Sequence, residues 1–217
     1  NISGTKENTL PLRITPSKKI NGINYKMPVA SAQVKSAILF ASLGAQGDTK
    51  IIEKSISRDH TERMFEHFGA SISFSEKETT LKETEKFTSQ NIEIPGDFSS
   101  SAFFIVAALI SKNSDITLKE VGMNPSRTAL LNKLIEMGGD IRVFNQASFG
   151  KEPVADVNIK SSVLNPCKVT PDDVPNLIDE LPILFIACCF AEGVSSFVEI
   201  EELKHKESDR LKSMEDG

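Results

Sequence analysis

Tryptophan is absent from this sequence and tyrosine occurs once, at Tyr25. Proteins that hold single-stranded nucleic acid stack bases on aromatic side chains, so so few aromatics argue against such a platform. An excess of positive charge is also missing. The formal net charge is −5, which argues against a nucleic-acid surface as the main function but leaves room for a local basic cleft. There are three cysteines, Cys167, Cys188 and Cys189, and none stands at metal-ligand spacing. Cys188 and Cys189 lie in the run Leu184-Phe185-Ile186-Ala187-Cys188-Cys189-Phe190-Ala191, which reads as core packing. Among the three histidines, His60 and His67 would share a helix face, yet stand roughly 10 Å apart. That is too far to grip one zinc ion. No apolar run is long enough to span a membrane and no signal peptide is visible, so the expected setting is cytoplasmic. Because the chain opens on Asn1 rather than Met, a tag remnant or an excised segment is expected.

The sequence does contain an internal repeat. The first copy, Ser31 to Ile72, begins with an apolar helix and continues through Gly47-Asp48-Thr49-Lys50-Ile51-Ile52. Ser57-Arg58 and a second helix ending at Phe68-Gly69-Ala70 complete it. The order returns from Ser99 to Ile141, with apolar helix Ala102 to Ile110, strand Asp115 to Leu118, Ser126-Arg127, and a helix ending at Met137-Gly138-Gly139. A third copy has an apolar helix from Leu181 to Ala191, a strand from Ser196 to Ile200, and a helix expected to start near Lys206. The aligned glycines, Gly69, Gly138 and Gly217, recur after 69 and 79 residues. Eleven residues before each stands a cation: Arg58, Arg127 and Lys206. Each copy reads as a βαβαββ unit, so the expected fold is α/β of the α+β type. The trailing strands of the third copy are missing, and on this reading the natural protein continues past Gly217. The break at Ile94-Pro95-Gly96-Asp97 divides residues 1–94 from residues 95–217 as two domain portions.

The helix starts carry the candidate chemistry. Ser31 and the run Ser99-Ser100-Ser101 open first helices. Free N–H groups there make anion sites, but a serine in that position is equally an ordinary N-cap. Asp59 followed by Glu62 resembles a capping box, and Gly69 suits the residue after a helix. Asp179 and Glu180 stand before the apolar helix at Leu181, where a carboxylate either caps the helix or takes a proton from a substrate hydroxyl. Lys206 and Arg210, four apart, would share a helix face, with Glu207 and Arg210 as neighbours. On spacing alone, that turn reads first as solvated surface.

Six segments, in order, resemble the EPSP synthases, enolpyruvyl transferases of aromatic biosynthesis. They are Leu10-Pro11-Leu12-Arg13, Ser31-Ala32-Gln33-Val34-Lys35-Ser36-Ala37, Arg58-Asp59-His60-Thr61-Glu62-Arg63-Met64, Pro95-Gly96-Asp97 with its serines, Leu177-Ile178-Asp179-Glu180-Leu181-Pro182, and Lys206-Glu207-Ser208-Asp209-Arg210-Leu211. Ser31-Ala32-Gln33 and Arg58-Asp59-His60-Thr61-Glu62 are similar to the bacterial subgroup often insensitive to glyphosate. The resemblance implies a fold of two domains, each of three βαβαββ copies. The chain would then hold the last copy of one domain (1–94) and the first two of the other (95–217), the second incomplete.

It further implies transfer of the enolpyruvyl group of phosphoenolpyruvate to the 5-hydroxyl of shikimate 3-phosphate, with release of phosphate. By the same resemblance, Ser31, Ala32, Gln33, Arg58, Asp179 and Lys206 hold shikimate 3-phosphate. Gln33 and Arg210 hold phosphoenolpyruvate, and Asp179 and Glu207 carry proton transfer. Ala32 stands where other members have a second serine, so one phosphate contact is in doubt and Arg58 would compensate. No metal or organic cofactor is implied. The partners are the two substrates alone, with no nucleic acid or membrane, and the protein is expected to be a monomer. The chain by itself is expected to be inactive. Two rivals are an enolpyruvyl transferase acting on UDP-N-acetylglucosamine and a non-catalytic repeat module that binds partners.

Overall fold

The computed structural model describes residues 2–5, 9–16, 19–83, 86–205 and 208–217. The chain divides into two compact units, residues 1–56 with 64–90 and residues 57–63 with 91–217. Residues 57–63, on the N-terminal side of the break read at Pro95, therefore count with the second unit.

In chain order the elements up to residue 90 are β1 (Ile2–Ser3), β2 (Arg13–Ile14), β3 (Ile20–Asn21), β4 (Asn24–Lys26), α1 (Ala32–Ser42), β5 (Ala45–Gln46), β6 (Thr49–Ile52), α2 (His60–His67), β7 (Ile72–Phe74) and β8 (Glu78–Leu81). Strands β4, β6, β8 and β7 form one sheet in that order, parallel between β4 and β6 and antiparallel elsewhere. Ser31 caps α1, its side chain accepting from the Val34 N–H. The small core of this unit gathers Met27, Leu39, Ile51, Phe65, Ala70 and Leu81. Phe65 meets Phe40 and Phe87 edge to face at 5.1 and 5.3 Å.

The second stretch runs α3 (Phe98–Ile110), β9 (Asp115–Gly122), α4 (Ala129–Glu136), β10 (Asp140–Phe149), β11 (Glu152–Lys160), β12 (Lys168–Val169), α5 (Val174–Leu177), α6 (Leu181–Cys189), β13 (Ser196–Phe197), a 3₁₀ turn (Glu201–His205) and α7 (Arg210–Asp216). Its sheet has the order β10-β11-β9, all antiparallel. Helix α3 is apolar all round and buries Ala102, Ile105, Val106 and Leu109 completely. Each fully buried Ile or Leu contributes roughly 1.5–3 kcal/mol of transfer free energy. Among the described residues, no helix is long and apolar enough to cross a membrane.

The repeat is visible in the hydrogen bonding. At the end of α2, Gly69 N–H reaches Glu66 O and Ala70 N–H reaches Phe65 O; at the end of α4, Gly138 N–H reaches Ile135 O and Gly139 N–H reaches Leu134 O. These are the same two closing bonds, and they need the glycines at φ +82° and +93°, a left-handed conformation that costs an L side chain. The hairpins match as well: β8 pairs with both β6 and β7, as β11 pairs with both β9 and β10. Parallel pairing also flanks each apolar helix, β4 with β6 around α1, Gly96 with Val121 around α3, and β12 with β13 around α6. The expected α/β architecture of repeated βαβαββ units is thus observed.

Two local readings need correction. Helix α3 begins at Phe98 and is capped by Asp97, which accepts from Ser100. The serines lie inside its first turn. Helix α7 begins at Arg210, capped by Asp209, and Ser208 and Asp209 are not helical. Arg210 thus opens α7, and Lys206 lies outside the described residues. A local signal decides this, because an Asp accepting from the N–H three residues on starts a helix at its successor.

Candidate active site

The second unit holds a cluster of charges around Asp179 and Glu180. The two sit in the turn between α5 and α6. That turn is pinned by Leu177, Ile178 and Leu181, all buried in the main core. Glu180 occupies the N-cap position of α6 but makes no side-chain capping bond. Both carboxylates turn to arginines.

Asp179 Oδ2 accepts from Arg58 and lies 3.7 Å from Arg127 Nη1. Its Oδ1 lies 3.6 Å from Arg210 Nη1. Arg58 and Arg127, which share a register in the repeat, thus meet at one carboxylate. Glu180 is 3% exposed. It accepts from the Ser99 hydroxyl, Ser99 in turn accepts from Arg127, and Arg127 Nη2 stands 3.5 Å from Glu180 Oε1. Burial pushes the Glu180 carboxyl above the usual carboxylate range, helped by the Asp179 charge and opposed by the Ser99 hydrogen bond and Arg127. Among the described residues, Arg58, Arg127 and Arg210 gather at Asp179 and Glu180, and the Asp97 charge also acts on Arg127. Clustered guanidinium groups suit an anion.

Beside this cluster a second network joins residues 57–63 to the β9–α4 and β10–β11 connections. Asp59 takes Arg63 and Asn124, and Asn124 also reaches Glu152 at 3.2 Å. His60 Nδ1 lies 2.7 Å from Glu152 Oε1, and Arg63 donates to the Lys151 carbonyl at 3.0 Å. Burial alone would raise the Asp59 carboxyl, but bonds from Arg63 and Asn124 and the charges of Arg63 and His60 hold it below the carboxylate range. Burial likewise raises Glu152, but the bonds from His60 and Asn124 and the charges of His60 and Arg63 together hold it lower. A cavity of about 430 Å³ lies against Arg58, His60, Asp97, Asn124, Arg127 and Glu152. It is large enough for a small substrate.

Of the residues expected from the sequence, Arg58, Asp179 and Arg210 come together in this unit. Ser31, Ala32 and Gln33 belong to the other compact unit, where Ser31 caps α1 and the other two lie in its first turn. Lys206 and Glu207 lie outside the described residues. Sequence reasoning weighed Ser99 at a helix start and Glu180 beside Asp179 as candidate chemistry, but it did not nominate Arg127, Asn124 or Glu152 for the site. For Arg127 the signal existed, since it stands eleven residues before Gly138 as Arg58 does before Gly69. Nothing local marks Asn124 or Glu152. Among the described residues, no group of three His, Cys, Asp or Glu is arranged to hold a metal ion.

Comparison with known proteins decides the family. The family described as EPSP synthase (3-phosphoshikimate 1-carboxyvinyltransferase) matches residues 1–216. The chain belongs to the EPSP synthase family. A relative named 3-phosphoshikimate 1-carboxyvinyltransferase from Legionella pneumophila (strain Paris) is 46% identical over 213 residues, which is 98% of this chain and 49% of that protein. One of the same name from Staphylococcus aureus (strain MRSA252) is 47% identical over 219 residues, covering 100% of this chain and 50% of the relative. The chain therefore spans about half the length of the curated family members it matches. Among solved structures, an EPSP synthase from Acinetobacter baumannii superposes with a TM-score of 0.91 at 43% identity, covering 100% of this chain and 49% of that one. The enolpyruvyl transferase NikO from Streptomyces tendae gives a TM-score of 0.65 at 14% identity over 91% of this chain and 48% of its own. That likeness shows a shared fold alone.

Proposed function

We propose that the full-length protein transfers the enolpyruvyl group of phosphoenolpyruvate to the 5-hydroxyl of shikimate 3-phosphate and releases phosphate. The observation that carries this reading is Asp179, a carboxylate held among Arg58, Arg127 and Arg210 in a chain of this family. Both substrates are phosphorylated anions, and a cluster of guanidinium groups is suited to them. Asp179 takes the proton from the 5-hydroxyl, and the oxygen adds to C2 of phosphoenolpyruvate. Glu207 gives a proton to the methylene carbon in that addition and recovers one when phosphate leaves. Arg58 and Lys206 bind shikimate 3-phosphate together with Ser31, Ala32 and Gln33. Arg210 binds phosphoenolpyruvate with Gln33. These roles rest on the match of each residue to the family's motifs.

We also assign residues 1–94 to the last βαβαββ copy of one domain and residues 95–217 to the first two copies of the other. On that assignment the chain alone lacks part of the site and does not turn over.

Calorimetric titration of the full-length protein with shikimate 3-phosphate tests the reading. Saturable binding is expected, followed by phosphate release once phosphoenolpyruvate is added. A folded protein, judged by circular dichroism, that binds no shikimate 3-phosphate would overturn it. The non-catalytic module predicts that silence.

A further inference from the structure

A pair of thiols lies outside the charge cluster and has no part in the chemistry above. Cys167 stands just before β12 and Cys188 in the last turn of α6. Their sulfurs are 3.6 Å apart, although the residues are 21 positions apart in sequence. Two sulfurs at that separation touch, and only a short side-chain movement separates them from the ~2.0 Å of a disulfide bond. Both residues are partly exposed rather than sealed in the core, so a small oxidant has access.

The surroundings make the two sulfurs unequal. The Cys167 and Cys188 thiols share a hydrogen bond, Ser195 bonds the Cys167 sulfur, and the Lys133 ammonium adds positive charge. Together these outweigh burial and the charge of Glu136, and they bring the Cys167 thiol down to about 7. Lys133 is held there by its bonds to Glu136 at 2.8 Å and to the Lys168 carbonyl at 3.4 Å. Cys188 is pushed up, first because its proton is shared with Cys167, then by burial. Thiol–disulfide exchange needs an attacking thiolate and a second thiol within reach, and the pair supplies one of each.

We propose that Cys167 and Cys188 form a reversible dithiol–disulfide couple that closes the segment carrying Asp179 and Glu180. The oxidant is a low-molecular-weight disulfide of the glutathione class. The Cys167 thiolate attacks one of its sulfurs, forming a mixed disulfide and expelling one glutathione thiolate. Cys188 then loses its proton and attacks the Cys167 sulfur, expelling the second. Two protein thiols are oxidised to one disulfide, one glutathione disulfide is reduced to two thiols, and the protons end on the released glutathione. The closed segment holds β12, α5, the Asp179-Glu180 turn and nearly all of α6. Cross-linking it restricts the unfolded chain, so the oxidised protein resists urea better than the reduced one. The inference does not depend on the proposed reaction, and its readouts do not use activity.

The test is oxidation of the full-length protein with oxidised glutathione under native conditions, followed by peptide mapping without reduction. A linked Cys167–Cys188 peptide is expected, with exposed Cys189 left out, a higher urea midpoint, and return of both on adding dithiothreitol. In Cys188→Ser, glutathione taken up by Cys167 should stay as a mixed disulfide with no Cys188 to resolve it, and neither Cys167→Ser nor Cys188→Ser should gain the higher urea midpoint on oxidation. The proposal is overturned if folded wild-type protein keeps both thiols free at saturating oxidant, if Cys189 takes the linkage in place of Cys188, or if either single variant gains the same midpoint shift.

Discussion

Two charge clusters, one in each compact unit, show how burial divides structural from functional electrostatics. In the first unit Lys35 and Glu53 form a 2.8 Å ion pair with side chains 1% and 2% exposed. It joins α1 to the residue after β6 and is sealed. In the second unit Asp179 meets three arginines, with Arg58 37% and Asp179 31% exposed. Water reaches these charges. A dry ion pair has no room for a ligand and defines where a helix sits. A wetter cluster with several guanidinium groups is where an anionic ligand gains most.

The largest expected effect lies on the wet side. Asp179→Asn in the full-length protein should lower turnover about 10²–10⁴-fold, the usual contribution of a positioned base. The urea stability should move by no more than about 1 kcal/mol, since partly solvated ion pairs contribute little. Steady-state rates at saturating substrates check this, and near-wild-type turnover would remove Asp179 from the chemistry.

The dry side should respond in stability instead. Lys35→Met leaves the Glu53 carboxylate buried beside an apolar side chain and should cost about 3–5 kcal/mol by urea unfolding, while Lys35→Met with Glu53→Leu recovers most of that loss. A single-variant cost below about 1 kcal/mol would show that the pair is not sealed, and the contrast between the two clusters would fail.

Glu180 lies between these extremes, being almost buried yet part of the open cluster. Ser99→Ala removes its hydroxyl donor and should cost about 1–3 kcal/mol. The raised Glu180 carboxyl binds a proton more tightly in the folded state than in the unfolded one. Its stabilising contribution is therefore full below the ordinary value of 4.5 and is lost as pH rises through the elevated one. Glu180→Gln, which cannot titrate, should gain on the wild type across that window. Parallel stability curves for the two proteins would contradict the assignment.

The smallest effect is expected at Asp59, whose carboxyl is lowered. Its stabilisation is present above the ordinary 3.8 and is lost as pH falls through the depressed value. Asp59→Asn should cost about 1 kcal/mol near neutrality, discounted for partial solvation. The gap to wild type should close in acid, and urea midpoints across pH would show whether it does.

Much of the fold was legible because its signals are local. The caps at Ser31 and Asp209, the closing glycines Gly69 and Gly138, and the apolar stretches of α3 and α6 each depend on residues within a turn or two. Two helix starts differ from the sequence expectation, α3 because Asp97 precedes the serines and caps it, and α7 because Asp209 is a better cap than any residue before it. The site was legible only in part. Its motif residues could be named singly, and the repeat placed Arg58 and Arg127 in the same register. Their meeting at Asp179 joins positions 121 residues apart for Arg58, a distance over which no sequence spacing carries information.

The sequence alone determined the repeating unit, the helix ends, and the family motifs from Leu10 to Leu211, because propensity, capping and periodicity act over a few residues. Tertiary structure alone decided that Asp179 faces arginines, that Glu180 is buried against Ser99 rather than capping α6, and that Cys167 touches Cys188. Burial and electrostatic partnership are properties of the packed chain. They exist only once the cores of Leu130, Leu134, Leu177 and Leu181 have brought distant segments together.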